Sequence, residues 1–245
     1  MDIEKKRVKA VIAYDGSSYF GFQKQTSTKQ TVTYDIENAL NSLHIESPIV
    51  ASGRTDAGVH ATAQIIHFDL PDFWVDLNKL KINLNRKLTN IQFKHISFVP
   101  ENFHARFSAK KRTYRYVFKT KKPSIFEQKY ISFYENFNEN ILIDALKVFE
   151  GEHDFKNFHK TGTVTHTTIR KIYKTTYIKR GDYHFIYFQG NSFLRSQIRM
   201  MVNAAMLCAK DELSKDCLEK QLECKDKYTT RLAPPQGLYL SNILY

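Results

Sequence analysis

The residues best suited to chemistry lie in one short run, Gly53-Arg54-Thr55-Asp56-Ala57-Gly58-Val59-His60-Ala61, where a single carboxylate sits among two glycines, an arginine and small side chains. The whole chain carries a formal net charge of +12, so charge balance predicts a polyanionic partner. In that setting a lone Asp close to Arg54 reads as an ionised reactive group, its pKa held down by the cation, rather than as a device for repelling RNA. Gly58 permits close approach of a ligand to the backbone. Taken alone, Thr55-Asp56-Ala57-Gly58 would pass for ordinary turn chemistry. Its company argues otherwise: Arg54 stands two residues away on a predicted strand end, where both side chains could face one way. An ionised Asp acts as nucleophile, general base or metal ligand. With no second carboxylate cluster beside it, metal-dependent hydrolysis is disfavoured, and an enzyme acting on nucleic acid is the reading.

Strands and helices must frame that loop. Val8 to Tyr14 is apolar and β-branched and ends at Asp15-Gly16, which predicts a buried strand closed by a turn. Val32, Ile36, Ala39, Leu40 and Leu43 recur at helical spacing behind Thr31, a candidate N-cap. Ile49 to Ala51 leads as a short strand into the loop, and Gln64 to Leu70 alternates as a strand beyond it. A second helix over Leu77 to Leu88 and a strand over Ile91 to Val99 complete a β-α-β-β-α-β order, the split arrangement of ferredoxin-like and RRM-like sheets.

The remainder loosely repeats that order. Thr113 to Lys119 predicts a strand with Arg112, Tyr114, Tyr116 and Phe118 on one face. A helix follows over Ile141 to Phe149, then a hairpin of Lys171 to Lys179 and Tyr183 to Gln189 around Arg180-Gly181-Asp182. A helix from Phe193 through Ala205, a polar helix over Leu213 to Glu223 and a strand over Leu238 to Leu244 close the chain. The expected fold is α+β: two RRM/ferredoxin-like halves, residues 1–102 and 103–245, sharing a mixed, mainly antiparallel sheet, with helices on one side and a basic cleft between the halves.

Composition supports a folded protein, with 42% apolar and 25% charged residues and 14 Tyr with 18 Phe. Lys and Arg number 37 against 25 acidic residues, an electrostatic footprint for phosphates. The clusters at Lys5-Lys6-Arg7-Lys9, Lys110-Lys111-Arg112, Lys121-Lys122 and Arg170-Lys171 with Lys174 could line an RNA path or be solvated faces. Cys208, Cys217 and Cys224 fit neither a zinc knuckle nor an even disulfide framework and read as reduced thiols on helices. The nine histidines, His60 and His104 among them, show no ligand spacing and read as structural or RNA-contacting. The charged start of the chain has no apolar segment behind it, and the apolar stretch Met200 to Ala209 is too short to span a bilayer. A soluble, cytoplasmic protein is expected.

Five ordered motifs add a resemblance that covers nearly the whole length. Tyr14-Asp15-Gly16 precedes Gly21-Phe22-Gln23; the Gly53 to His60 run follows; then come Phe103-His104-Ala105-Arg106 with Tyr114-Arg115-Tyr116. Asn191-Ser192-Phe193 with Gln197-Ile198-Arg199 and Met201-Val202, and Ala233 to Leu240, complete the series. Together they resemble the tRNA pseudouridine synthase A family, which acts on the anticodon stem-loop. Two positions depart from its pattern: Phe22, where a tryptophan is usual, and Asn203, where a glycine is frequent.

The resemblance implies that Asp56 attacks the target uridine, so that the glycosidic bond breaks, the uracil turns, and a C5 to C1′ bond forms; attack at the sugar C1′ or at the base C6 stays open. It matches Tyr114 to the active-site tyrosine, and a flipped uracil does need an apolar face of the kind a phenol offers. Tyr116 reads instead as core. Arg199 is implied to pair with Asp56 from the other half, although its i, i+4 spacing with Arg195 and Asn203 alone would suggest a solvated helix face. Arg54 is matched by position and either fills the gap left by the flipped base, an unstacking that costs about a few kcal/mol, or contacts a phosphate. No cofactor and no metal are implied; a homodimer is, one tRNA touching both subunits. The competing readings are a synthase acting on ribosomal RNA and an RNA-binding module or chaperone without catalysis.

Overall fold

The structure, a computed structural model, describes residues 6–162 and 165–245. Lys5 and the rest of the charged start, residues 1–5, lie outside the described residues. The chain divides into two compact units, Met1–Lys110 with Leu240–Tyr245, and Lys111–Tyr239. Among the described residues there are ten strands and five α-helices, the strand pairing mixed but mainly antiparallel, as the α+β reading expected.

The first unit follows the predicted order: β1 (Lys6–Tyr14), α1 (Val32–Asn41), β2 (Val50–Ala51), β3 (His60–Leu70), α2 (Leu77–Lys87) and β4 (Ile91–Phe98). Strand β1 is central, antiparallel to both β3 and β4. Its alternation sends Val8, Ala10 and Ile12 into the core with Ile66, Phe68 and Leu70 of β3 and Phe93 of β4, all at most 1% exposed. Burying each large side chain of this kind contributes about 1.5–3 kcal/mol. Ile36 and Leu40 of α1 and Leu80 and Leu84 of α2 bury the helical stripes that their spacing dictates. Thr31 caps α1, its hydroxyl accepting from Tyr34 N, and Asp76 caps α2, its carboxylate accepting from Asn78 N and Lys79 N. Strand β3 starts at His60, four residues before the predicted Gln64, so the loop that carries Asp56 is shorter than the sequence suggested.

His67 of β3 is buried, and its Nδ1 accepts from Ala105 N at 3.1 Å. Burial above all, then the charges of Arg7 and His104, pull its pKa from 6.5 down to about 4. Above pH 6.5 the ring is neutral whether the chain is folded or not. As pH falls from 6.5 toward 4 the unfolded chain takes a proton that the folded one refuses, so stability drops, by up to about 3 kcal/mol. Urea unfolding at pH 7 and pH 4.5 should show this loss, and His67→Asn, which keeps an acceptor but cannot titrate, should flatten that part of the profile.

In the second unit β5 (Lys111–Lys119) pairs with β9 (Tyr183–Gly190), β9 with β8 (Ile169–Arg180), and β8 with β7 (Gly151–Asp154), all antiparallel; the two-residue β6 (Ser132–Phe133) is parallel to β5. The β8–β9 hairpin turns at Gly181-Asp182, with Arg180 paired to Tyr183. Helices α3 (Glu139–Lys147), α4 (Gln197–Ala209) and α5 (Lys215–Leu222) follow the predicted order. Helix α4 begins four residues after the predicted Phe193, because Ser196 adopts a left-handed conformation (φ +59°) that no helix can include. The last strand, β10 (Leu238–Leu244), belongs from Leu240 onward to the first unit.

All three cysteines are free, Cys208 on α4 and Cys217 on α5. Cys224 departs from expectation: it lies past the end of α5 with φ +62°. Burial pushes the Cys208 thiol up to about 11, which leaves it unreactive. Among the described residues no helix is long and apolar enough to cross a membrane, and no group of three or more His, Cys, Asp or Glu side chains could hold a metal ion.

Candidate active site

Asp56 is half-buried on a loop that the first unit ties down at every step. At its root, Ser52 donates its hydroxyl to Gln64 Oε1 (2.7 Å), and Gln64 Nε2 donates to Gly53 O (2.8 Å). Thr55 is buried, its Oγ1 2.8 Å from the Tyr14 hydroxyl and its carbonyl accepting from Phe22 N at 3.1 Å. After Asp56 the chain turns, Val59 N donating back to Asp56 O at 3.2 Å, with Gly58 at φ +75°, a value that glycine takes without strain. Gly58 N donates to Tyr19 O (3.3 Å) and Gly16 N donates to His60 Nδ1 (3.0 Å). Asp15 Oδ1 approaches the same nitrogen at 3.3 Å.

Gly16 itself has no room for a side chain: a Cβ would lie 2.1 Å from Val59 O. The segment from Tyr14 to Phe22 is therefore pressed against the loop through backbone as well as side chains. Phe22, where the family pattern has a tryptophan, is buried with its ring 6.0 Å from that of Tyr14.

Arg54 is exposed and lies outside β2, in irregular backbone, so the strand-end alternation expected for it does not apply. Partial enclosure of its guanidinium, and then the positive charge of Arg106, pull its pKa below the ordinary arginine value. Two cations close enough to disfavour each other suit a phosphate, whose charge would relieve both. Beside Arg106, the exposed Phe107 ring stacks on His104 at 4.3 Å, and His104 Nδ1 accepts from the N–H groups of Arg106 and Phe107 (3.2 Å each). His60 and His104 are thus both acceptors for backbone donors.

The second unit holds the other two candidates. Tyr114 is buried on β5 opposite Phe188 of β9, its ring edge-on to Phe193 at 5.2 Å. Tyr116 is fully buried, its hydroxyl 2.8 Å from Ser132 Oγ and 3.0 Å from Pro234 O, and desolvation drives its pKa well above 10. It is a core residue, as its place on the strand suggested. Arg199 of α4 is half-buried and doubly tied to one residue: its Nε donates to Ala233 O (2.7 Å), and Ala233 N donates to Arg199 O (3.0 Å). Its charge also lowers the pKa values of the buried Tyr116 and Tyr134 phenols against the larger upward push of burial. A solvated helix face does not describe that environment.

The family model described as tRNA pseudouridine synthase matches residues 10–108 and 145–245. The tRNA pseudouridine synthase A of Helicobacter hepaticus is 36% identical over 243 residues, 97% of this chain and 98% of that protein. The chain belongs to the tRNA pseudouridine synthase family. The enzyme of the same description from Lactococcus lactis is also 36% identical, over 98% of this chain and 97% of its own. Among solved structures a Cbf5–Nop10–Gar1 complex is similar at TM-score 0.35 and 12% identity, covering 81% of this chain and 45% of that one, too loosely to bear on function.

For a tRNA pseudouridine synthase the basic clusters are less uniformly available than their sequence suggested. Arg7 is committed to Asp69 (2.8 and 3.0 Å), and buried Arg112 donates to Asn191 O at 2.6 Å. Lys121 meets Asp182 at 3.3 Å, and Arg170 donates to Thr167 O and Ile169 O. Sequence reasoning passed over Tyr14, Gln64 and Gly16 as parts of the site. Their signal, had it been weighed, was the Tyr14-Asp15-Gly16 motif itself, a turn whose glycine lies against the backbone of the Asp56 loop.

Proposed function

We propose that Asp56 is the nucleophile of a uridine-to-pseudouridine isomerisation in the anticodon stem-loop of tRNA. As a member of its family the chain is a tRNA pseudouridine synthase, an isomerase. The observation that carries the assignment is the loop geometry: one carboxylate, half-buried, held from both sides by Thr55 and Val59 in a chain of net charge +12. Preorganised placement of this kind is what a covalent step requires. The carboxylate bonds to the nucleoside at C1′ or at C6, the N1–C1′ bond breaks, the uracil turns, C5 bonds to C1′, the bond to Asp56 breaks to return the free carboxylate, C5 loses its proton and N1 gains one. Either C1′ or C6 attack satisfies that balance.

Tyr114 is assigned as the stacking face for the flipped uracil and Arg199 as the cation that pairs with the carboxylate, both on the strength of their motifs. Arg54 is assigned to the RNA, as a phosphate contact or as the filler of the vacated stack, supported by its exposure and its charged neighbour Arg106. Recognition rests on the shape and phosphates of a folded stem-loop and weakens steeply with salt. A cytoplasmic homodimer completes the proposal.

Mapping pseudouridine across total RNA from cells lacking the protein tests it. Loss confined to uridines of the tRNA anticodon stem-loop is expected. Loss in ribosomal RNA would reassign the substrate, and no loss anywhere would leave an RNA-binding protein without this chemistry.

A further inference from the structure

The geometry points to Tyr14 as a positioning residue for Asp56, acting through the side chain of Thr55. This rests on the assignment of Asp56 as nucleophile. Tyr14 ends β1, the strand paired on both edges, with Ala61 of β3 opposite it on one side and Ile91 of β4 on the other. The register of β1 slips against β4 between Val11 and Ile12 and against β3 between Ile12 and Tyr14. In both shifts the extra residue lies on the partner strand, and β1 keeps its alternation, with Val8, Ala10, Ile12 and Tyr14 all buried. From this regular position the Tyr14 hydroxyl lies 2.8 Å from Thr55 Oγ1, a contact that spans 41 residues of chain.

Both partners are buried, Tyr14 at 5% and Thr55 at 8% exposure, so neither hydroxyl can exchange the bond freely for water. The Tyr14 ring is itself set against Phe22, whose N–H holds the Thr55 carbonyl at 3.1 Å. Thr55 is thereby fixed by side chain and backbone together, and Asp56 is the next residue. A rigid strand thus determines where the carboxylate stands, through one hydroxyl pair. A displacement of about 1 Å at a reacting group costs on the order of 100-fold in rate.

A double-mutant cycle on Tyr14→Phe and Thr55→Val tests this, with kcat, KM for tRNA and thermal midpoint measured for each variant. Each single variant breaks the bond between the two buried hydroxyls and should lose stability as well as rate. The double variant removes both partners and should regain stability. If Tyr14 positions Asp56, the double variant melts near the parent yet keeps a kcat about 10- to 100-fold low, with KM within about twofold. Thr55→Ser, which retains the hydroxyl, should hold kcat above that of Thr55→Val. A double variant whose kcat returns with its stability would overturn the inference, as would Tyr14→Phe raising KM at unchanged kcat. Asp56→Asn separates the two levels: if it stays active the nucleophile assignment fails, and if it is inactive while the double variant turns over normally, only the role of Tyr14 does.

Discussion

Asp56→Asn is expected to yield a folded protein that still binds tRNA but releases no tritium from tRNA labelled at uridine C5, its rate down by at least about 10³-fold. The amide nearly matches the carboxylate in volume, and the position is half-buried, so packing changes little. The loop ties around it are contributed by Thr55, Val59, Gly58 and Gln64, and all of them survive the substitution. What is lost is the anionic oxygen, and an amide cannot replace it as a nucleophile. Affinity for tRNA should hold or rise slightly, because one negative charge is removed from a surface that meets phosphates. Measuring binding, thermal midpoint and tritium release on the same preparation separates these effects. A residual rate within tenfold of the parent would remove Asp56 from the chemistry and return the loop to a purely structural role.

The elements that sequence periodicity reveals are those whose own residues bury a face. Strand β1 and helices α1, α2 and α3 carry enough apolar residues at period 2 or 3.6 to declare themselves, and Thr31 marks the start of α1 by its chemistry alone. Strand β7, Gly151-Glu152-His153-Asp154, is polar throughout and exists because its backbone pairs with β8, a partner that local pattern cannot disclose. Ser196 hides the true start of α4 because its left-handed backbone is imposed from outside, on a residue type that sequence would place in a helix.

At the site the division is similar. In the sequence Asp56 stands out because glycines and small residues leave it isolated, whereas the support beneath it does not. Tyr14 reads as the end of a core strand, and its hydroxyl contact with Thr55, 41 residues away, arises only on folding. Arg112 was read as part of a basic cluster, but its burial and its bond to Asn191 O depend on β5 and the segment after β9, distant in sequence. Charge counts register how many cations a chain has; which of them are already spoken for emerges only on folding.

Gly16→Ala should be the most damaging single methyl group in the first unit. Its Cβ would stand 2.1 Å from Val59 O and 2.4 Å from Val59 C, and both obstacles are backbone, so no rotamer change relieves the clash. Either the 3₁₀ turn at Gly16–Ser18 or the loop carrying Asp56 must move, and the Gly16 N–H bond to His60 weakens in both cases. A destabilisation of about 3 kcal/mol is expected, together with a kcat at least tenfold lower under conditions where the protein stays folded. Gly181→Ala supplies the contrast. Gly181 sits in the β8–β9 hairpin at φ +56°, with nothing within 4 Å of an added Cβ. Only left-handed strain opposes that substitution, about 1–2 kcal/mol, and turnover should be unchanged. Two glycine variants that both lose stability would thus diverge in kcat, since one backbone conflict lies against the reactive loop and the other variant has none. Equal kcat values for the two would show that the loop holds its catalytic geometry independently of the turn that Gly16 opens.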